Sequence, residues 1–77
     1  MAAVSLLSDG VPVTLVMADA SEVRMSALFT IERNGEVFHV QTFDDFRMVM
    51  TEHSGRWICL MGTLPTERLV NLAEQIR

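Results

Sequence analysis

The fold is decided near the carboxyl end of the sequence, by residues 56–76, RWICLMGTLPTERLVNLAEQI. Residues 56–61 carry apolar side chains toward both faces, which is typical of a strand in the centre of a sheet. Gly62 ends this strand. Pro65 suits the first position of a helix, because a proline there loses no hydrogen bond. The segment therefore predicts a central strand followed directly by a helix over residues 65–76.

The predicted helix has one apolar stripe. Leu69, Leu72, Ala73 and Ile76 recur at the spacing i, i+3, i+4, i+7, which places them on one side of a helix. Glu67 lies in the first turn, where a carboxylate interacts favourably with the helix dipole. Burying each large member of the stripe stabilises the fold by roughly 1.5–3 kcal/mol before the entropy cost is subtracted. We therefore expect the helix to pack on the sheet through this stripe.

An amino-terminal hairpin is predicted by the apolar segments 3–7 and 11–17, which flank the turn Ser8-Asp9-Gly10. Pro12 cannot donate a hydrogen bond to a neighbouring strand, so it belongs at a strand start or at a sheet edge. We expect segment 11–17 to be an edge strand that is open to pairing with another chain. Thr14, in the middle of that strand, is a candidate contact residue.

Residues 20–33 are compatible with two structures. As a helix, the segment has an apolar stripe that ends at Gly35. As strand, residues 28–31 are rich in β-forming residues, and Asn34-Gly35 is a strong hairpin signal. We favour a short helical turn near residues 20–26 that is followed by a hairpin.

Chain length and pattern together predict the fold class. The 77 residues accommodate one domain, residues 1–77, with a single core. Another strand is predicted where Phe46, Met48 and Met50 alternate with their neighbours. We predict an α+β fold, with an antiparallel, mostly meandering sheet of four to six strands and the 65–76 helix across one face.

The sequence is unusually apolar for its length. Hydrophobic residues make up 49% of the chain, and the mean hydropathy is +0.28. A chain this short buries only roughly 60% of the surface that its unfolded form exposes. We therefore expect part of the apolar surface to be covered by another protein, most simply by a second copy in a homo-oligomer.

Charge and hydropathy argue against two classes of partner. The net charge is −4 and the six Lys and Arg residues are spread along the chain, whereas a nucleic-acid binder needs a basic stripe. No apolar run approaches the roughly 18 residues of a membrane span, and the first residues lack the charged region of a signal peptide. We expect no contact of this segment with nucleic acid or membrane. The chain is then either cytoplasmic or a soluble part of a longer exported protein.

No catalytic, cofactor or metal site is expected. Asp44 and Asp45 are adjacent, so in a strand they would point to opposite faces, and a polar turn is the better interpretation. His39 and His53 have no second ligand at metal-binding spacing. Cys59 lies among apolar residues, where burial raises the pKa of a thiol and leaves it inert, so we place it in the core. These observations predict that the chain is not an enzyme.

Methionine and tryptophan supply the remaining interaction candidates. Met48, Met50 and Met61 are expected to converge, either as an adaptable binding surface or as filling of a small core. Trp57 is either a core anchor or, on an uncovered face, the centre of an interface. Together with Thr14, we assign Met48, Met50 and Trp57 as candidate interaction residues.

The second half of the sequence shows a characteristic order of features. NGEVFHV at 34–40 and FRMVM at 46–50 precede the strand GRWICLMG, the step TLP and a helix that closes on LVNLAEQI. This order resembles the carboxyl-terminal module of transmembrane anti-sigma factors and of RseB/MucB-type periplasmic regulators of sigma factors. In that family a last strand ends in a Val-Gly-x-Leu-Pro-like step, and the helix closes on Leu-Ala-x-x-Ile. Residues 8–16 are similar to its early turn-and-strand segment.

The resemblance implies a regulatory role without catalysis. By this likeness the chain is the periplasmic, extracytoplasmic end of a membrane-anchored protein, and sigma-factor binding lies in residues not present here. The alternative is a small cytoplasmic adaptor, borne by a phage or plasmid. An upstream transmembrane segment in the same reading frame favours the first interpretation, and a native start at Met1 favours the second.

Overall fold

The computed structural model describes residues 2–19 and 29–76. Over these residues it contains one antiparallel sheet of six strands with one helix packed on it, so the predicted α+β fold is confirmed. The elements in chain order are β1 (Ala2–Ser8), β2 (Val11–Asp19), β3 (Phe29–Arg33), β4 (Glu36–Phe43), β5 (Phe46–His53), β6 (Arg56–Gly62) and α1 (Thr66–Ile76).

The strands lie in the order β1-β2-β6-β5-β4-β3. Strand β6 lies between β2 and β5, which confirms the central position predicted from its two apolar faces. The hairpin predicted after the ambiguous segment is also confirmed, since β3 pairs with β4 around Asn34-Gly35. The helical turn predicted near residues 20–26 falls outside the described residues.

Tight two-residue turns join the two strands of each hairpin. In Asp9-Gly10, Asn34-Gly35 and Ser54-Gly55 the first residue has a φ of 52–54° and the glycine a φ of 77–80°. Positive φ at both central positions is the pattern of type I′ turns, whose twist matches that of the flanking strands. Asp44-Asp45 forms the turn between β4 and β5, as predicted. These local signals set the register of the meander.

The prediction that residues 11–17 form an edge strand is wrong. β2 pairs with β1 on one side and with β6 on the other, so the edges of the sheet are β1 and β3. Pro12 is tolerated here because pairing between β2 and β6 begins one residue later, at Val13 and Gly62. The missing N–H of the proline therefore breaks no bond of that ladder.

The core lies between α1 and one face of the sheet, with the helix resting mainly on β5 and β6. Leu64, in the connection before the helix, is buried beside Leu69. The sheet side of this apolar cluster comes from four neighbouring strands. Its buried members in this cluster are Val13, Phe38, Val40, Val49 and Leu60.

The predicted helical stripe is wrong in its rotation. Leu69 and Ala73 are fully buried as expected, but the third buried residue is Val70. Leu72 only borders the core, and Ile76 is 36% exposed. At 100° per residue, the observed stripe is rotated by roughly 50–60° from the predicted one.

Polar contacts with distant strands accompany this rotation. Arg33 at the end of β3 donates hydrogen bonds to Asn71 and to Glu74, the latter at 3.2 Å between Nη1 and Oε1. The Asn71–Glu74 side of the helix therefore lies toward β3. At the opposite end, Arg68 forms an ion pair with Asp9 in the β1–β2 turn. The helix thus makes polar contacts with the β3–β4 hairpin and with the β1–β2 hairpin.

The connection from β6 to α1 is fixed by a side chain of β5. Arg47 donates hydrogen bonds to the carbonyl oxygens of Thr63 at 3.2 Å and Leu64 at 3.3 Å. The helix begins at Thr66, one residue later than predicted, so Pro65 immediately precedes it. The carbonyl oxygen of Pro65 accepts the first helical hydrogen bonds. Among the described residues no helix has the length and apolar character needed to cross a membrane.

Candidate protein-interaction surface

The sheet has one face under α1 and a second that we call the helix-free face. Side chains alternate along each strand, and the register keeps the alternation in step across the sheet. The helix-free face comprises the even-numbered residues of β2, β3 and β5 and the odd-numbered residues of β1, β4 and β6. Within the described residues, α1 is the single element outside the sheet, and it lies on the other face.

All four candidate interaction residues lie on the helix-free face. Thr14 of β2 pairs with Met61 of β6, which pairs in turn with Met48 of β5, so these three form one row across the sheet. The predicted convergence of Met48 and Met61 is therefore observed. Met50 and Trp57 lie on the same face, nearer the opposite end of their strands.

An aromatic contact spans β5 on this face. The rings of His39 on β4 and Trp57 on β6 meet at an edge, with 5.5 Å between centroids and an angle of 63°. Met50 lies on the strand between them and pairs directly with His39 and Cys59. Its exposed fraction is 8%, the value of a core residue, although α1 covers the other face. Met50 is thus the least accessible of the four candidates, and both rings reach across its strand.

Cys59 belongs to the helix-free face and not to the core under the helix. It is half-buried there, between Val16 of β2 and Met50 of β5. Burial raises the pKa of the thiol to about 11 from the ordinary value of 9.0. The predicted effect of burial on the thiol is confirmed, whereas its predicted location is wrong.

The most exposed apolar side chains on this face were missed by reasoning from sequence. Phe43 and Phe46 face each other across the β4–β5 turn and are 54% and 47% exposed. Val37 and Leu7 add further exposed apolar area at the margins of the face. The signal for the two phenylalanines was available, since each continues the alternation of its strand up to the turn. Aromatic side chains in this setting favour contact with another protein.

The outer edge of the sheet formed by β1 is a second exposed apolar surface. Val4 is 54% exposed on the helix side of β1, and Leu7 is 71% exposed on the helix-free side. Strand β1 pairs only with β2 among the described residues, so its outer backbone groups face away from the sheet. Sequence reasoning missed this edge because Pro12 suggested that β2, and not β1, was the edge strand.

A shallow concavity of about 420 Å³ lies beside the end of the helix. Met17, Ile58 and Ile76 give it an apolar floor, and His53 and Arg56 contribute to its rim. The described residues contain no group of three or more His, Cys, Asp or Glu side chains arranged to hold a metal ion. Comparison with known proteins gave no matching family model, no matching curated protein and no matching solved structure.

Proposed function

We propose that this chain is a non-catalytic protein-interaction module that associates with a second copy of itself. The observation that carries the proposal is the apolar surface exposed on both faces of the sheet. Leu7 and Phe43 are more than half exposed on the helix-free face, and Val4 is so on the helix side. Soluble monomers rarely leave large apolar patches uncovered, because such patches favour association.

The composition of the helix-free face supports the same role. Phe43, Phe46 and Trp57 are aromatic, and Met48 and Met61 are half-buried thioethers that adapt to the shape of a partner. Few charges interrupt this surface. Protein interfaces favour aromatic and methionine side chains and disfavour charge at their centre.

The resemblance in the second half of the sequence suggests the biological setting. We propose that the chain is the extracytoplasmic module of a membrane-anchored anti-sigma regulator and has no affinity for a sigma factor itself. This proposal is supported by the Gly62-Thr63-Leu64-Pro65 step, which joins β6 to α1, and by the helix that closes on Leu72-Ala73 and Ile76. Its function there is to assemble copies or to contact another regulator.

A pull-down from separated cytoplasmic and envelope fractions tests the proposed function. The tagged chain is expected to retain an untagged copy of itself or an envelope regulator, and to retain no sigma factor. Leu7→Lys places a charge on the helix-free face at the β1 edge and is expected to weaken the retention. Gln75→Lys, on the exposed side of α1, is the matched control and is expected to leave it unchanged.

Three results would contradict this function. Stoichiometric recovery of a sigma factor would show that the chain itself binds sigma. Catalytic turnover of a small molecule would remove the non-catalytic assignment. Recovery of a cytoplasmic protein alone, without self-association, would favour a cytoplasmic adaptor.

A further inference from the structure

We infer that β1 pairs edge to edge with β1 of a second copy, in antiparallel orientation and centred on Ser5. The inference rests on the proposed self-association and names the surface responsible for it. The occupant of the edge is thus an identical strand, and the sheet continues through both copies.

The two edges of the sheet differ in how well they are protected. Natural sheets protect their edges with charges, prolines, bulges or short strands. The β3 edge is five residues long and contains Glu32 and Arg33, the latter bonded to α1. Strand β1 is seven residues long, has no charged residue or proline, and pairs with β2 without a bulge. The unprotected edge is therefore β1.

The type I′ turn determines which backbone groups of β1 are available. Ser8 and Val11 flank the two-residue turn, and residues in that position exchange both backbone hydrogen bonds. Because this direction alternates along a strand, the N–H and C=O groups of Ala3, Ser5 and Leu7 point away from β2. No described residue pairs with them there.

The geometry of β1 is self-complementary about Ser5. A two-fold axis perpendicular to the sheet at Ser5 places Ser5 opposite itself and Ala3 opposite the partner copy's Leu7. All of these residues offer outward backbone groups, so each opposed pair exchanges two hydrogen bonds. On the helix-free face, the small side chain of Ala3 then lies beside the large side chain of the partner copy's Leu7. On the helix side, Val4 lies opposite the partner copy's Leu6, which covers apolar area that is exposed in the single chain.

The distribution of charge makes the β1 edge the place where two copies can approach each other. The chain has a net charge of −4, so two copies repel each other over most of their surfaces. The β1 edge is uncharged, and Asp9 at its end is already paired with Arg68. Symmetric oligomers commonly use a single patch that contacts itself across a two-fold axis.

A register-specific disulfide tests the inference. In a Cys59→Ala background, Ser5→Cys brings two thiols together across the axis, since Cα atoms of a hydrogen-bonded pair lie about 5.5 Å apart, within disulfide range. Oxidised glutathione is expected to convert most of this variant into a covalent dimer. Ala3→Cys in the same background is the matched control. It is expected to remain largely unlinked, because its position faces residue 7 of the other copy.

Charge placed on the two edges provides an independent test. Ser5→Lys sets two like charges directly opposite each other and is expected to weaken dimerisation at least tenfold in sedimentation equilibrium. Thr30→Lys places the same charge on β3 and is expected to leave the dimer constant unchanged. Circular dichroism checks that both variants remain folded.

The outcomes separate the inference from the function on which it rests. Equal cross-linking at positions 3 and 5, or full association of a folded Ser5→Lys variant, would overturn the β1 pairing while leaving self-association through another surface. A wild-type chain that stays monomeric would overturn the β1 pairing and the proposed self-association together.

Discussion

The ring of His39 lies against the ring of Trp57, with 5.5 Å between their centroids, although a whole strand separates their backbones. Met50 occupies that intervening strand and is 8% exposed. His39, Met50 and Trp57 thus lie together on the helix-free face. Met50 is therefore much less accessible than Met17, which is 36% exposed, and this difference can be tested chemically.

Oxidation by peroxide is expected to be slow at Met50 and fast at Met17, which is 36% exposed, because oxidation of a thioether requires access to the sulfur. His39→Ala removes one of the two rings and is expected to increase the rate at Met50 severalfold. The rate at Met17 serves as the internal control. Peptide mass spectrometry measures both rates, and equal rates in the wild-type chain would contradict the described cover.

Truncation of the helix is expected to affect stability according to the observed rotation. Leu69→Ala removes a fully buried side chain and is expected to lower the free energy of unfolding by about 2–5 kcal/mol. Ile76→Ala is expected to cost less than about 1 kcal/mol, because Ile76 is partly solvated in the last turn. Urea denaturation measures both values. Similar losses for the two variants would favour the stripe predicted from sequence.

Gly62 is expected to resist substitution because of where it pairs. A Cβ atom there would lie 3.1 Å from the carbonyl oxygen of Pro12, so the backbone of β2 would have to shift by a few tenths of an ångström. Gly62→Ala is expected to lower the free energy of unfolding by about 1–3 kcal/mol. The same urea experiment measures this loss, and a neutral result would contradict the close approach of the two strands.

The reactivity of Cys59 is expected to depend on pH and on folding. Its folded pKa, about 11, lies above the ordinary 9.0, so at neutral pH the thiolate is scarcer in the folded chain than in the unfolded one. Labelling of the native thiol is expected to be slow and to rise about tenfold per pH unit until the pH nears 11. In urea the rate is expected to level off above pH 9. Rapid native labelling at pH 7 would contradict the assigned burial.

The same shift has a defined consequence for stability. Because the folded pKa is the higher one, the neutral thiol is favoured in the folded state. The stabilising contribution of this group is fully present below pH 9 and is lost as the pH rises from about 9 to about 11. Cys59→Ser is expected to reduce that pH dependence, which urea titrations across this range measure.

Local signals made most of the fold predictable. Asn34-Gly35 and Ser54-Gly55 specify hairpins by themselves, because a type I′ turn needs residues that tolerate positive φ. The apolar segment 56–61 indicated a central strand without knowledge of its neighbours. These features depend on residues close together in sequence.

The features that were predicted wrongly depend on contacts between distant residues. β2 became an internal strand by pairing with β6, which follows it by some forty residues in the sequence. The rotation of α1 buries Val70 and places Asn71 and Glu74 beside Arg33, which lies 38 and 41 positions away from them in the sequence. No local pattern contains that information. The candidate residues Thr14, Met48, Met50 and Trp57 share one face because strand alternation is local, but the row that joins three of the strands follows from their pairing.

Self-association is the central claim, and sedimentation equilibrium of the wild-type chain tests it most directly. A concentration series into the high micromolar range is expected to show a species of twice the 8.6 kDa chain mass. The same series with Ser5→Lys is expected to show mainly the single chain. A wild-type species that remains at 8.6 kDa over the whole range would contradict the claim.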